Sequence, residues 1–375
     1  MFKIIKSQYP VKISQFYRYK STQKFANVHE EVLQCSDYPL DKINSHFKNT
    51  IFSVIGYGPQ GRAQALNLRD NGLNVIIGLR QGKSYDDAIK DGFIPNKTLY
   101  SIEDAVIYGN TIMNLLSDAG QAASWKKSIL PYLYKNKTLY FSHGFSIVYN
   151  EQTGVVPPSN IDVIMVAPKG TGRTLRTSFI EGKGVNSSIA VYQNVSGNAD
   201  ETVKHIGFAI GSGYLYRTTF KKEVYSDLVG ERGVLMGAIQ GAFLAQYNVL
   251  RENGHSPSEA FNETVEEATQ SLIPLIAENG MDWMYSNCST TAQRGAIDWY
   301  PKFEKALKPV FNELYESVRN GTETRIVLEQ NNDKDYRKKL QVELDNIANQ
   351  EIWKAGKTVR KLRKTPCFKI KDFHL

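Results

Sequence analysis

Residues 51–84 read IFSVIGYGPQGRAQALNLRDNGLNVIIGLRQGKS. A short apolar run enters Gly56-Tyr57-Gly58-Pro59-Gln60-Gly61, and an amphipathic helical pattern follows at once. A second apolar run, Val75 to Leu79, then ends in Arg80. Glycines at this spacing between a strand and a helix let backbone amides approach a pyrophosphate at the helix N-terminus. A bare GxGxxG is weak evidence, but here it sits where that chemistry needs it. The second strand runs out into Arg80, Gln81, Gly82, Lys83 and Ser84, with no carboxylate before Asp86. A carboxylate there would accept from a ribose 2′-hydroxyl. Two cations and a hydroxyl suit a 2′-phosphate instead, because guanidinium grips phosphate oxygens in bidentate fashion. The expected cofactor is NADPH.

Two later segments carry carboxylates four residues apart, Asp227 with Glu231 and Glu263 with Glu267. On a helix that spacing puts both side chains on one face, close enough to share a hard cation. By helical angle Glu231 lies at the edge of its own apolar stripe. Glu263 and Glu267 point nearly opposite theirs, away from their own core. Alone this also describes a solvated acidic face, and Glu266 adds ambiguity because it too neighbours Glu263.

The elements that must position these groups follow from periodicity. Apolar runs at Thr111–Leu116, Thr138–Phe141 and Ile161–Val166 end in Ser117-Asp118, Ser142-His143-Gly144 and Ala167-Pro168-Lys169-Gly170. Ser188–Tyr192 and Tyr214–Thr218 read as further strands. Strands alternating with helical spacers predict an α/β, Rossmann-type doubly wound sheet, mostly parallel, with helices on both faces. The Gly-rich turn, Arg80, Asp118, His143 and Lys169 each follow the carboxyl end of a predicted strand, the edge where open α/β sheets bind ligands. From about Asp227 the apolar period becomes helical, through Leu228, Leu235, Ile239, Phe243, Tyr247 and Leu250. Ser256 is the expected N-cap of the next helix, with Pro257 at N1 and Glu259 at N3 completing a capping box. Helical patterns recur over 300–319 and 336–363, so an all-helical C-terminal domain is expected. The predicted organisation is a transit segment at 1–35, a cofactor domain at 36–226, a helical domain at 227–364 and a basic tail at 365–375.

The formal charge of +8 resides in the ends. Residues 1–29 hold six basic residues and no acid, and residues 354–375 hold eight against one. Without them 32 basic residues face 37 acidic ones, which gives no support to nucleic-acid binding by the folded body. The N-terminal stretch is basic, hydroxylated, aromatic and acid-free, the composition of an organelle transit peptide. Its Lys/Arg-plus-aromatic pattern fits mitochondrial import, with a plastid address as the alternative. No apolar run approaches the ~20 residues of a membrane span. Three cysteines without CxxC spacing argue against a disulfide framework or a zinc site.

The blocks GYGPQGRAQALNLRDNG, NLLSDAGQ, YFSHGFS, VAPKGTGRTLR, SDLVGERG, ENGHSPSEAFNETVEEATQSL and CSTTAQRGA resemble ketol-acid reductoisomerase (acetohydroxyacid isomeroreductase), of the fungal, mitochondrial kind. The resemblance implies that Gly56, Gly58 and Gly61 cradle the pyrophosphate and that Arg80 and Ser84 hold the 2′-phosphate. It places Tyr57, Gln60, Asp118, Gln121 and Gly144 along the cofactor cleft. His143 and Lys169 match active-site residues, and Ser289 matches the serine that contacts substrate. Asp227 with Glu231, and Glu263 with Glu267, match the pairs that bind two Mg²⁺, supplied by different subunits of a homodimer or higher homo-oligomer. The implied activity isomerises acetohydroxy acids by alkyl migration and reduces the product with NADPH, in valine and isoleucine synthesis in the mitochondrial matrix. Glu231 or Glu267, with Lys169, would move the protons, while His143 would position by hydrogen bonding. The tail TPCFKIKDFHL has no counterpart in that pattern.

Two other readings compete. A simple NADP-dependent hydroxyacid dehydrogenase explains the Gly-rich turn and Lys169 but leaves four spaced carboxylates without a task. A nucleic-acid binder explains only the basic tail.

Overall fold

The computed structural model describes residues 22–363. Contacts divide the chain into two compact units. Among the described residues, a sheet unit comprises 22–115, 132–142 and 158–219, and a helical unit comprises 116–131, 143–157 and 220–363.

The sheet unit holds ten strands: β1 Thr22–Phe25, β2 Val28–Gln34, β3 Ile51–Ile55, β4 Asn74–Gly78, β5 Leu99–Tyr100, β6 Thr111–Asn114, β7 Thr138–Phe141, β8 Asp162–Pro168, β9 Val185–Gln193 and β10 Ser212–Arg217. Their order across the sheet is β1-β2-β10-β9-β8-β7-β6-β3-β4-β5. The run from β5 to β8 is parallel, while β9 reverses against β8 and β2 against β10. Central strands such as β3 (IFSVI) and β6 (TIMN) are buried on both faces, as continuous apolar runs in a helix-covered sheet must be. From β3 the chain steps outward to β4 and β5, and the next crossover returns to β6 on the other side of β3, so the switch point at which such sheets bind ligands lies between β3 and β6.

Three features of the sheet differ from the sequence reading. Strands β9 and β10 are each longer at the start than expected, beginning at Val185 and Ser212. The short β5 lacks a periodic signal. Most consequential, residues 1–35 were expected to lie outside the fold. Instead Thr22–Phe25 pairs with Val28–Glu31, and Val32–Gln34 adds antiparallel to β10. Val32 and Leu33 are buried, and Arg217 on β10 bonds Glu31 at 2.7 Å. The exposed hairpin looks polar in sequence because only two of its side chains, Val32 and Leu33, enter the core. Residues 1–21 of the expected transit segment, and the expected tail at 365–375, lie outside the described residues.

The helical unit is built on Phe220–Arg232, Gly237–Glu252, Thr290–Arg319, Thr322–Asn332, Tyr336–Asn349 and Glu351–Arg363. Phe220–Arg232 belongs to it whole, so the helical texture read from Asp227 begins two turns earlier. The capping box at Ser256 and Glu259 forms, with Pro257 in the first turn. That helix runs on over 257–279 through two wide π-type turns, Asn262–Glu266 and Ala268–Leu272. Its apolar face (Phe261, Val265) packs with Tyr247, Ala260 and Ile352. A second core joins Phe145 and Tyr149 to Val224, Leu228 and Val318.

Since each buried Val or Leu contributes about 1.5–3 kcal/mol, β2 should be a measurable part of the sheet. A chain beginning at Thr22 is expected to unfold on the order of 5–10 °C higher than one beginning at Ser36, the shift a few kcal/mol makes in a domain of this size. Equal melting temperatures by calorimetry would show that the hairpin is dispensable.

Candidate active site

In the sheet unit, β3 delivers the Gly-rich turn to the helix Pro59–Asp70. A Cβ at Gly61 would stand 2.2 Å from the carbonyl oxygen of Gly56, so only glycine lets the helix begin this close to the strand. At Gly58 an added Cβ meets no protein atom, leaving that side of the turn open to a ligand. Gln60 Nε2 donates to the carbonyl of Gly170 at 2.9 Å, tying the turn to the Lys169-Gly170 segment beyond β8. Lys169 itself is exposed at that edge. Beyond β4, Arg80, Lys83 and Ser84 are all exposed, and among the described residues neither Arg80 nor Lys83 makes an ion pair. Exposed guanidinium and ammonium groups at this edge suit the 2′-phosphate expected from sequence.

In the helical unit, His143 stands two residues beyond β7, and the helix Phe220–Arg232 presents acids to it. Its Nδ1 lies 3.0 Å from Glu223 Oε2 and 3.4 Å from Asp227 Oδ2. The Gly144 amide donates to the same Glu223 oxygen at 3.3 Å. A side chain at Gly144 would press on Phe220 and Val224, so glycine lets the turn lie against that helix. Asp118 opens the helix Asp118–Ser124, whose N-cap Ser117 accepts from the Gly120 amide. Nearby, Gln121 Nε2 donates to the Leu116 carbonyl at 3.0 Å.

The crowding of acids shows in their protonation. Burial alone would lower the His143 imidazole, but its bond to Glu223 and the charges of Glu223, Asp118 and Asp227 outweigh it, and it is pushed up to about 9. Burial first, then repulsion from Asp227 and Glu223, raises the Asp118 carboxyl against the pull of His143. Glu231 is likewise raised, by burial and then by Asp227. Arg232, the cation beside Glu231 at 3.7 Å, is held by Glu323 at 2.7 Å. His143, Glu223 and Asp227 bring one donor atom each within 4.8 Å of one another, a spacing that could hold a metal ion.

Glu223 escaped the sequence reading. It stands four residues before Asp227, so Glu223, Asp227 and Glu231 form one i, i+4, i+8 stripe. Extending the acidic spacing back by one turn would have found it. The structure also separates the candidates on the helix spanning 257–279. Glu266 pairs with Arg363 at 3.1 Å, whereas Glu263 and Glu267 face solvent. Within one chain those two do not join the cluster at His143. Ser289 caps the helix Thr290–Arg319 by accepting from the Ala292 amide at 3.2 Å, and stays exposed.

Comparison with known proteins matches residues 46–215 to the NADPH-binding domain of acetohydroxy acid isomeroreductase and residues 220–365 to the C-terminal domain of ketol-acid reductoisomerase. The mitochondrial ketol-acid reductoisomerase of Neurospora crassa is 62% identical over 343 residues, which cover 91% of this chain and 85% of that one. A ketol-acid reductoisomerase (NAD(+)) of Desulfosudis oleivorans is 59% identical, covering 91% of this chain and 97% of its own. Among solved structures, an NADH-preferring ketol-acid reductoisomerase from an uncultured archean superposes with a TM-score of 0.78 at 31% identity, covering 89% of this chain and all of that one. Two matched domains laid end to end account for nearly all of the described chain, and it belongs to the ketol-acid reductoisomerase family.

Proposed function

We propose that the chain converts 2-acetolactate and 2-aceto-2-hydroxybutyrate to 2,3-dihydroxy acids, by alkyl migration and then reduction, for valine and isoleucine synthesis in the mitochondrial matrix. The acid-flanked His143 carries this reading. A ketol acid offers a hydroxyl, a ketone and a carboxylate, and its rearrangement needs charge stabilisation more than a nucleophile. An acid stripe that faces an imidazole is a donor set suited to a hard divalent ion. Asp227 and Glu231 would hold Mg²⁺ from one subunit, and Glu263 and Glu267 from another. Bound there, Mg²⁺ supplies Lewis acidity toward the ketone and stabilises negative charge on the substrate oxygens.

The chain's own residues do the rest. Migration moves an alkyl group from the hydroxyl-bearing carbon to the neighbouring ketone carbon, so a proton leaves the hydroxyl and one is gained at the former ketone oxygen. Glu231 or Glu267 exchanges that proton. His143, fixed through Glu223, orients the substrate by hydrogen bonding, and Lys169 supplies positive charge. Ser289 contacts substrate with the hydroxyl hydrogen that its capping role leaves free. Bound NADPH would supply hydride to the carbonyl carbon of the rearranged 2-oxo acid, and Glu231 or Glu267 would give its oxygen a proton. Gly56, Gly58 and Gly61 cradle its pyrophosphate, and Arg80, Lys83 and Ser84 grip its 2′-phosphate. An import segment preceding Thr22, of acid-free basic composition, delivers the chain to the matrix, as the name of the Neurospora relative suggests.

A second copy is needed for two reasons. Glu263 and Glu267 face solvent, and among the described residues neither makes an ion pair. The helix Thr290–Arg319 also exposes Trp299, Tyr300, Phe303, Leu307 and Val310 while burying only Val318, a wider apolar face than a monomer ordinarily leaves bare. We read it as the homodimer or higher homo-oligomer interface.

Three measurements test this. With Mg²⁺ the protein is expected to oxidise NADPH with either 2-acetolactate or 3-hydroxy-3-methyl-2-oxobutyrate, and chelation or Asp227→Asn should abolish ketol-acid turnover. Reduction of the oxo acid alone, with or without metal, would make it a plain dehydrogenase. Arg80→Ala should cut the NADPH-over-NADH preference in kcat/KM by roughly 10- to 100-fold, since a hydrogen bond to a charged group contributes about 1.5–3 kcal/mol; an unchanged ratio would remove Arg80 from the phosphate grip. Finally, Asp227→Asn and Glu263→Gln subunits, each inactive alone, should recover about a quarter of wild-type activity after random reassortment. Mixtures that stay inactive would place both acid pairs in one subunit's site.

A further inference from the structure

Asp91 lies outside every motif assigned above, yet three side chains from the cofactor region, Tyr57, Arg62 and Arg69, converge on it. Its Oδ2 accepts from the Tyr57 hydroxyl at 2.8 Å and from Arg62 Nε at 2.6 Å, and its Oδ1 accepts from Arg62 Nη2 at 2.8 Å. Its backbone carbonyl accepts from Arg69 Nη1 at 2.7 Å. Arg69 in turn lies over the Phe93 ring, whose other neighbour is the Tyr57 ring at 5.9 Å. The Arg62 guanidinium first, and the Tyr57 hydroxyl next, hold the Asp91 carboxyl below the usual range, so it remains an anion.

Position gives this network its meaning. Tyr57 stands inside the Gly-rich turn, and Arg62 and Arg69 stand on the helix that the turn opens. Asp91 is the C-cap of the short helix Lys83–Lys90. The other end of that helix begins at Gly82, whose φ of +142° is a conformation glycine adopts readily, and carries Lys83 and Ser84. Eight helical residues at about 1.5 Å rise each form a rigid strut. One end of the strut bears the phosphate-gripping residues, and the other is clamped to the pyrophosphate turn. Among the described residues, the side-chain hydrogen bonds that tie this helix and its C-cap to the rest of the sheet unit are those of Tyr57, Arg62 and Arg69.

We propose that Asp91 is a positioning and specificity-setting residue, which fixes the distance between the pyrophosphate cradle and the 2′-phosphate grip and thereby favours NADPH over NADH. It touches neither cofactor nor substrate and acts through Tyr57 and Arg62. The inference rests on the cofactor reading given above.

The test uses the full chain with Mg²⁺ and 2-acetolactate, and titrates NADPH and NADH by kinetics and by fluorescence binding. Asp91→Asn keeps the shape but removes the charge that holds Arg62. It should raise KM and Kd for NADPH about tenfold and those for NADH no more than about threefold, with kcat within about twofold. Asp91→Glu should restore most of the preference. Tyr57→Phe, which removes one hydroxyl and leaves the Arg62 pair intact, should give a smaller shift of the same kind and guards against a misfolded Asn variant. Equal weakening of both cofactors, or an unchanged NADPH-to-NADH ratio in Asp91→Asn, would overturn the proposal. Arg80→Ala separates the two readings. If it spares the preference, the phosphate grip itself is misplaced; if it abolishes the preference while Asp91→Asn does not, only the strut fails.

Discussion

Glu223 is a carboxylate with 2% of its surface exposed, and the arrangement of the acid cluster depends on how it is satisfied. An ionised carboxylate buried without partners would cost several kcal/mol. Its oxygen instead receives the Gly144 amide and faces His143 Nδ1. This one residue fastens the turn after β7 to the helix Phe220–Arg232. Rotation of that helix would bring an apolar residue to His143 and carry Asp227 and Glu231 away together, because the three acids share one face. The glycine at 144 belongs to the same constraint, since a side chain there would wedge the turn off the helix.

The same geometry gathers more acids than a structural clamp needs. A fold needing only a clamp would stop at Glu223 and His143, a partnered pair. Here Asp118, Asp227 and Glu231 are added around a single imidazole, and the carboxyls of Asp118 and Glu231 rise while His143 is driven toward its cation. Like charges gathered in a partly buried site are a standing cost. Chains that bind cations accept that cost because the bound ion reverses it.

How much of this could be read from residues alone varies with the physics. The parallel strands were legible because burial on both faces leaves uninterrupted apolar runs. The capping box at Ser256 was legible because its chemistry is local. The hairpin at 22–34 was not, since its pairing with β10 bridges some 180 positions and only Val32 and Leu33 enter the core. Glu266 could not be told from Glu263 and Glu267 by helical angle, and its assignment waits on Arg363, nearly a hundred positions away. Asp91 offered no signal at all. Its partners lie 22 to 34 residues earlier, on a different element, and nothing in the spacing announces them.

Glu263 and Glu267 remain the residues that a single chain explains least. The helix over 257–279 buries Phe261 and Val265 well, so its outward acids are held in a defined direction and are not the fringe of a loose segment. Two π-type turns widen it just where those acids stand, and such turns recur at functional sites because they re-aim side chains at the expense of regular hydrogen bonding. Solvated glutamates need no such aiming. Nor does the long helix Thr290–Arg319 need to offer water Trp299, Phe303 and Val310 along one side. An aimed pair of acids and an unburied apolar face on one unit would both be satisfied by the proposed second copy of the chain, which would cover the face and receive the acids.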